Sequence, residues 1–323
     1  MQRAIQKLWY SQSNWRWLLW PFARVYQSIV GIRRVILEKY YQQHFPVPVI
    51  IVGNITVGGV GKTPLVIALV QALQRKGIRV GVVSRGYGSR VAHYPYLVKK
   101  EDDARKTGDE PLLIVQKTGC DLVIAPKRAV AVQYLLDNCQ SQIIISDDGL
   151  QHYAMGRAIE IAVIDGQRGL GNQLCLPAGP LREHKARLRQ VDFVVVNSGN
   201  WPDAYAMQLK PGPITQLKTG YTVNTDSLGG SIAAVAAIGH PQRFYATLNT
   251  LGVNFKPYSF ADHHAFCPDD LAVAEQTVIM TEKDAVKCHS FAKSSWYCLP
   301  VEAELEPAFW QALWSHEQLK GLV

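Results

Sequence analysis

The sequence predicts an α/β protein in which a domain built on a parallel sheet is joined by a short β linker to a second, smaller α/β domain. Two observations predict this class. Short apolar runs rich in β-branched residues alternate with helical stretches, and the alternation resumes after a proline-rich interruption at 201–225. Strands of that kind separated by helices are typical of a parallel sheet that helices cover on both faces.

Length and composition agree with two folded domains. The 323 residues exceed what one hydrophobic core ordinarily holds, and 48% apolar with 19% charged residues is the composition of a globular protein. Six cysteines are scattered without a C-x-x-C pair. This spacing argues against a structural zinc site and a disulfide framework, and it fits a reducing cytoplasm.

The elements of the first domain alternate between strand and helix. Apolar runs predict strands at 47–53, 78–84, 121–125, 142–146, 159–165 and 191–197, with helices at about 64–76 and 127–138. Further on, "SIAAVAAIG", "TVIMT" and "SWYCLPV" predict strands of the second domain. We therefore divide the chain into an N-terminal segment (1–40), a first α/β domain (41–203), a β-hairpin linker (204–225) and a smaller C-terminal α/β domain (226–323).

The N-terminal segment is basic and amphipathic. Residues 1–44 contain seven lysine or arginine residues against one glutamate, so this segment holds +6 of the chain's net charge of +8. From Pro21 onward, apolar and polar residues form separate stripes at helical spacing. The apolar stripe is Phe22, Val25, Tyr26, Ile29, Ile32 and Ile36, and the polar stripe is Arg24, Gln27, Arg34 and Glu38.

A basic amphipathic helix with nearby tryptophans is typical of a segment that lies on an anionic membrane surface. The alternative is a helix that packs on its own domain with its tryptophans in the core. The charge-free stretches are shorter than the roughly 20 residues that cross a bilayer, and the segment lacks the order of a signal peptide. A nucleic-acid partner is disfavoured, because the rest of the chain is nearly charge-balanced.

The stretch "IIVGNITVGGVGKTP" has a strand, a glycine-rich loop and a helix in the order of a phosphate-binding loop. Lys62 would reach the β- and γ-phosphates, and the Thr63 hydroxyl would bind Mg²⁺. Thr56 stands where the usual pattern has its first glycine. The alternative is a glycine turn that happens to precede Lys-Thr. The pattern predicts a P-loop NTPase-like domain whose nucleotide-binding residues are Thr56, Gly58, Gly59, Val60, Gly61, Lys62 and Thr63.

A P-loop needs a second Mg²⁺ partner, usually an acid at the end of a neighbouring strand. Asp147 and Asp148 in "IIISDDGLQH" meet this requirement, and the sequence leaves open which of them holds the metal. An acidic turn that closes the strand is the alternative. The stretch "TEKD" (281–284) places its lysine one position late for a guanine motif, so we expect ATP as the nucleotide.

Four further stretches are rich in polar residues, glycine or histidine: "SRGYG" (84–88), "TGDEP" (107–111), "LPAGPLRE" (176–183) and "FADHHAF" (260–266). Together with the P-loop and "DDGLQH", they resemble the tetraacyldisaccharide 4′-kinase family of lipid A biosynthesis, from about residue 45 to 290. The basic, aromatic N-terminus also resembles that family's membrane-associating segment.

The resemblance implies a lipid kinase with ATP and Mg²⁺ as cofactors. It would transfer the ATP γ-phosphate to the 4′-hydroxyl of a tetraacylated glucosamine disaccharide 1-phosphate at the cytoplasmic face of the bacterial inner membrane. It also implies two α/β/α domains joined by a short β linker, with the active site in the cleft between them. No nucleic-acid or protein partner is implied.

The resemblance also implies roles for individual residues. Asp109 in "GDEP" would be the catalytic base, paired across the cleft with His263 of "DHH". His264 is the second choice for that pairing and a candidate for substrate binding. Without the resemblance, a helix cap explains Asp109 equally well, and a surface turn explains the two histidines better.

The remaining assignments concern phosphate, metal and substrate contacts. Arg128 and Arg182 would contact phosphate groups, Glu183 would support Mg²⁺, and Gln151 would line the substrate site. Solvated charges or ordinary salt bridges are the alternative for the three charged residues. His184 departs from the proline that the family commonly has after "LRE".

A different functional class fits part of the pattern. A membrane-associated P-loop ATPase that acts as a switch or positioning protein would also use the glycine-rich loop and a docking helix. That class gives no role to Asp109 or to the histidine pair in a separate domain. A soluble small-molecule kinase would leave the basic N-terminus without a membrane role.

Overall fold

Two β-sheets organise the chain in the computed structural model, which describes residues 9–10 and 15–322. The larger sheet has nine strands and the smaller has six. The predicted N-terminal segment is therefore described only in part, and Arg3 and Lys7, which contribute to its charge, lie outside the described residues.

The helices and strands have the following bounds. The α-helices are α1 (Trp15–Tyr40), α2 (Lys62–Arg75), α3 (Ala104–Thr107), α4 (Asp109–Thr118), α5 (Arg128–Cys139), α6 (Pro241–Thr250), α7 (Glu282–Cys288) and α8 (Pro307–Trp314). The strands are β1 (Val49–Gly53), β2 (Val80–Ser84), β3 (Tyr96–Leu97), β4 (Asp121–Ile124), β5 (Ile143–Asp147), β6 (Ile159–Asp165), β7 (Phe193–Asn197), β8 (Tyr205–Pro211), β9 (Ile214–Gln216), β10 (Thr222–Val223), β11 (Ile232–Ala236), β12 (Lys256–Ser259), β13 (Thr277–Thr281), β14 (Trp296–Leu299) and β15 (Val301–Leu305).

The large sheet has the order β15-β8-β7-β6-β1-β5-β2-β4-β3, and its strands from β8 to β4 are parallel. Only the two edge strands, β3 and β15, pair antiparallel. The six strands and two helices predicted for the first domain are confirmed by β1, β2, β4, β5, β6 and β7 and by α2 and α5. The prediction of an α/β fold is therefore confirmed.

Both faces of the large sheet are buried. Ile50 and Val52 of β1 face one core, to which α2 contributes Leu65 and Leu69, while Ile51 faces the other. Successive side chains of a strand point to opposite faces, so an uninterrupted apolar run serves both layers. Each of these side chains stabilises the fold by about 1.5–3 kcal/mol relative to exposure.

The small sheet has the order β10-β9-β14-β13-β11-β12. Four of its strands are parallel, from β12 to β14, and the β9–β10 hairpin closes one edge in antiparallel pairing. Apolar residues of α6 pack on one face of this sheet and residues of α7 on the other. The second, smaller α/β domain that the sequence predicts is therefore present.

The predicted boundaries of the second domain are wrong at both ends. Residues 205–211 are not half of a linker hairpin but strand β8 of the large sheet. The predicted strand "SWYCLPV" divides at Pro300 into β14 of the small sheet and β15 of the large one. The chain therefore crosses between the sheets twice, at 211–214 and 299–301, and the two crossings lie side by side, with the Gly212 N–H donating to the Pro300 carbonyl at 2.9 Å.

The C-terminal residues consequently belong to the first domain. Strand β15 pairs with β8, and Phe309, Leu313 and Leu319 are buried in the same core as β1. The boundary was mispredicted because β8 and β15 are about 90 residues apart in sequence, and no local pattern predicts their pairing. The small domain spans 212–300.

Helix α1 lies against the large domain along one face. Ala23 is buried, the Tyr26 hydroxyl donates to the Arg182 carbonyl at 3.2 Å, and the Arg34 guanidinium lies 4.9 Å from the Tyr153 ring centre. The opposite face is open: Phe22, Val25, Ile29, Ile32 and Ile36 of the predicted apolar stripe are exposed.

The exposed face of α1 excludes one alternative. Trp17 and Trp20 are 61% and 41% exposed, so the arrangement in which these tryptophans fill the domain core is wrong. Within residues 9–10 and 15–322, no helix has both the length and the apolar character needed to span a bilayer.

Candidate active site between the two domains

A cavity of about 1280 Å³ lies between the two domains. Its floor is the carboxyl edge of the large sheet, where β1 leads into the P-loop and β5 ends at Asp147. The small domain contributes the loop after β11, the loop around His263 and the first turn of α7. Ligands of open parallel sheets bind at this edge.

The P-loop has the backbone of a phosphate-binding loop. Gly58 and Gly61 have φ angles of +110° and +97°, which residues with a Cβ rarely adopt. A Cβ on Gly61 would lie 2.6 Å from Nδ2 of Asn197, so the position has no room for a side chain. Lys62 begins α2, and its Nζ lies 3.3 Å from Oδ1 of Asn54.

Six of the seven predicted nucleotide-binding residues, 58–63, line the cavity. Among the described residues, the lining does not include Thr56. Its side chain is buried, and its carbonyl accepts a hydrogen bond from Nδ2 of Asn54 at 2.7 Å. Thr56 therefore supports the loop from beneath, and its predicted contact with nucleotide is not supported.

Asp147 and Asp148 differ in surroundings although they are adjacent. Asp147 is buried, and within the described part of the chain its Oδ1 has no hydrogen-bond partner. Burial, followed by the charge of Glu110, raises the pKa of Asp147 to about 7. Asp148 lies 3.4 Å from Nζ of Lys62 and 3.0 Å from Nη1 of Arg182. Burial opposes its ionisation, but these two cations outweigh burial and hold the pKa of Asp148 well below its usual range.

The predicted phosphate and substrate residues surround this acidic pair. Arg128 is buried and donates from Nη2 to the carbonyls of Asp147 and Asp148 at 3.0 and 2.8 Å, so it fixes the end of β5. Gln151 donates to the Asn54 carbonyl at 3.0 Å. Arg128, Gln151 and Arg182 all line the cavity.

Glu183 is buried next to Gln151 and Tyr153. Its carboxylate accepts hydrogen bonds from Nε2 of Gln151 at 2.7 Å and from the Tyr153 hydroxyl, and it is buried. Thr63 and Asp147 line the cavity, whereas Glu183, in the part of the chain that the structure describes, does not. The prediction that Glu183 is a metal ligand is not supported by this arrangement, because both oxygens are engaged by side chains of its own domain.

Asp109 and His263 meet across the cavity. Nδ1 of His263 lies 3.0 Å from Oδ2 and 3.3 Å from Oδ1 of Asp109. Asp109 is the first residue of α4 and is buried, and Gly108 before it has a φ of +93°. The family resemblance implied this pair, and the fold brings the two residues together from two domains.

The contact shifts both pKa values. Burial opposes ionisation of Asp109, but the hydrogen bond from His263 and the charge of Lys283 outweigh it and lower the pKa of Asp109 to about 2. The same hydrogen bond raises the pKa of His263, against the effect of burial. Asp109 is therefore ionised at neutral pH, and the imidazole is the group of the pair that can change its protonation state there.

His264 points away from the pair. Its Nε2 lies 3.0 Å from Oδ2 of Asp270, and its ring stacks on Phe260 with centroids 4.9 Å apart. Among the described residues, His263 lines the cavity and His264 does not. The predicted substrate-binding role of His264 is not supported.

The sequence motifs did not predict one charged pair at the site, Lys283 with Glu110. Lys283 of α7 lies 2.8 Å from Oε1 of Glu110 and 3.9 Å from Oδ2 of Asp109, and both Lys283 and Glu110 line the cavity. Sequence reasoning considered "TEKD" only as a guanine motif. The available signal was its place directly after "TVIMT", since the carboxyl end of a buried parallel strand faces the ligand.

Comparisons with known proteins identify the family of this chain. The family profile described as "Tetraacyldisaccharide-1-P 4′-kinase" (LpxK) matches residues 15–318. A protein named tetraacyldisaccharide 4′-kinase from Legionella pneumophila (strain Lens) is 56% identical over 321 residues, which cover 99% of each chain. A protein of the same name from Tolumonas auensis is 48% identical and covers 94% of each.

A solved structure extends the agreement to the fold. The crystal structure of LpxK from Aquifex aeolicus in complex with ATP has a TM-score of 0.76 and 26% identity, and the match covers 92% of this chain and 97% of that one. The family resemblance that the motifs predicted is confirmed. The chain belongs to the tetraacyldisaccharide-1-P 4′-kinase family.

Proposed function

We propose that this chain transfers the γ-phosphate of ATP to the 4′-hydroxyl of a tetraacylated glucosamine disaccharide 1-phosphate. One observation carries the proposal: the Asp109–His263 contact lies on the same cavity as the P-loop lysine, Lys62. A proton acceptor and a phosphate-binding loop on one cavity are what phosphoryl transfer to a hydroxyl requires. The names of the relatives and the ATP complex of the Aquifex aeolicus protein support it.

The P-loop would bind the nucleotide phosphates. Backbone N–H groups of 58–63 and the N-terminus of α2 favour an anion at this point. Lys62 lies next to Asn54 and Asp148 and would exchange these contacts for phosphate oxygens. Arg128 and Arg182 line the same cavity and add positive charge.

Magnesium fits the residues present. A buried carboxylate oxygen without a hydrogen-bond partner in the described chain, Oδ1 of Asp147, suits a hard divalent cation. Asp148 is already paired with Lys62 and Arg182, so we assign the metal to Asp147 and the Thr63 hydroxyl. Mg²⁺, when bound, neutralises charge on the phosphate oxygens.

The acceptor hydroxyl would lose its proton to the Asp109–His263 pair. As the hydroxyl oxygen forms its bond to the γ-phosphorus, the bond from that phosphorus to the ADP oxygen breaks, and the proton passes to the pair. Asp109 is buried and both of its carboxylate oxygens face Nδ1 of His263, whereas this contact leaves Nε2 of His263 free, so we revise the role of Asp109. His263 takes the proton at Nε2, and Asp109 orients the imidazole through Nδ1.

We further propose that α1 holds the protein on the cytoplasmic face of the inner membrane. Its exposed apolar face would enter the headgroup region, and each basic residue near an anionic surface contributes about 1 kcal/mol. Tyr26, Val30 and Arg33 of the same helix line the cavity. The helix therefore links the proposed membrane surface to the site, as an acceptor with several acyl chains requires.

The test is phosphate transfer from γ-labelled ATP to the tetraacylated disaccharide 1-phosphate in mixed micelles. The unmodified protein should label the lipid, and Lys62→Ala should abolish labelling. ATP hydrolysis without any labelled lipid would overturn the kinase assignment and favour a P-loop ATPase switch.

A further inference from the structure

Lys283 reaches from the small domain to two carboxylates of the large one. It lies in the first turn of α7, and its Nζ is 2.8 Å from Oε1 of Glu110 and 3.9 Å from Oδ2 of Asp109. We propose that Lys283 is a positioning residue for phosphate transfer: it holds the Asp109–Glu110 carboxylate pair and keeps the Asp109–His263 pair in its working protonation state. The inference rests on the proposed kinase function.

The stability of α7 does not explain a lysine at this position. The N-terminus of a helix carries a partial positive charge, which favours acids and disfavours cations. The helix already has Glu282 and Asp284 in its first turn, and Thr281 caps it by accepting from the Asp284 N–H at 3.2 Å. Lys283 therefore occupies an unfavourable site for its charge, and the compensation comes from the other domain.

Because the Lys283 side chain is largely buried, its positive charge requires these carboxylate partners. The Lys283 side chain is only 20% exposed, and burial alone would favour its neutral form. Burial opposes the charge, but Glu110 and Asp109 outweigh it and raise the pKa of Lys283. The ammonium group therefore stays charged at the site, with one carboxylate in hydrogen-bond contact and the other within reach.

The positive charge of Lys283 favours one protonation state of the Asp109–His263 pair, with Asp109 ionised and His263 neutral. A cation near Asp109 favours its ionised form, and a cation near His263 disfavours protonation of the imidazole. Lys283 has both effects here: it lowers the pKa of Asp109 and opposes the rise in the pKa of His263.

The two cationic groups that contact Asp109, His263 and Lys283, both come from the small domain, where they lie on separate elements. The site is therefore complete only where the two domains meet. A second ion pair, Lys117 to Glu282 at 2.6 Å, joins the same two helices, α4 and α7. Lys117 contacts neither Asp109 nor Glu110, so its loss measures what a cross-domain ion pair contributes by itself.

The experiment compares Lys283→Met, Lys283→Arg and Lys117→Met by kcat and KM across pH 6–9 in the micelle assay, with Tm for each. Lys283→Met should lower kcat by about 10-fold or more, with KM for ATP little changed, because the proton-transfer step is affected. In Lys283→Met the acid limb of kcat/KM should move to higher pH, because the pKa values of Asp109 and His263 both rise when the cation is lost. Lys283→Arg should keep the limb in place, and Lys117→Met should retain activity within about threefold.

Each other outcome has a definite meaning. An unmoved acid limb in Lys283→Met, or an equal loss in Lys117→Met, would overturn the positioning role. Should Lys283→Met fail to fold by its Tm, Lys283→Gln takes its place and must show the same shift relative to Lys283→Arg. If the unmodified protein labels no lipid, the proposed function fails; if it labels lipid normally and the limb does not move, only the role of Lys283 fails.

Discussion

Nδ1 of His263 lies 3.0 Å from Oδ2 of Asp109, so a loop of the small domain meets the first residue of a helix in the large one, 154 positions away in sequence. The proton-transfer pair is therefore complete only where the two domains meet.

His263→Ala should lower kcat by about 100-fold or more, because general-base catalysis typically contributes 10²–10⁴-fold. The matched control is His264→Ala, since His264 contacts Asp270 and lies outside the cavity lining among the described residues. Initial rates of lipid labelling decide the comparison. Equal losses in the two variants would contradict the assignment of His263.

The activity should fall as the pH drops through the raised pKa of His263, because the protonated imidazole accepts no proton. The hydrogen bond that His263 donates to Asp109 is the main cause of that raised pKa, so Asp109→Asn should move the acid limb of kcat/KM to lower pH while lowering kcat. The pH profile of residual activity measures this. A limb that stays in place or moves to higher pH would count against His263 as the proton acceptor.

Asp147→Asn should raise the Mg²⁺ concentration for half-maximal activity by about 10-fold or more, a loss that even indirect partners of a metal can cause. Asp148→Asn should change this concentration less, because Asp148 is paired with Lys62 and Arg182. A Mg²⁺ titration of both variants at saturating ATP tests the difference. The reverse order would assign the metal to Asp148.

Ile32→Glu should weaken binding to vesicles of anionic lipid without lowering Tm, because Ile32 is 62% exposed on the open face of α1. Tyr221→Glu is the control: Tyr221 is exposed on the small domain, far along the chain from α1. Cosedimentation with vesicles at two salt concentrations gives the readout. Unchanged binding of Ile32→Glu would show that this face does not contact the membrane.

Local patterns in the amino-acid sequence were enough to predict the strands of the first domain and the phosphate-binding loop. The β-branched run before the P-loop becomes β1 because it buries both faces of a parallel strand, and "VGGVGKT" forms a phosphate-type loop because Gly58 and Gly61 take positive φ angles. Lys62 was predicted from the loop pattern itself, whereas Asp109 and His263 were proposed only because their motifs resemble those of a known family.

Contacts between residues that are distant in sequence, and the directions of neighbouring side chains, depend on the packing of the whole fold. Strand β15 belongs to the large sheet because its backbone pairs with β8. Hydrogen-bond pairing between strands that are distant in sequence leaves no local pattern. His264 and Glu183 faced away from the cavity because Asp270, Gln151 and Tyr153 bind their polar atoms. The position of Lys283 at the site depends on the contact between α7 and α4, because this buried cation needs a carboxylate partner and Glu110 lies in the other domain.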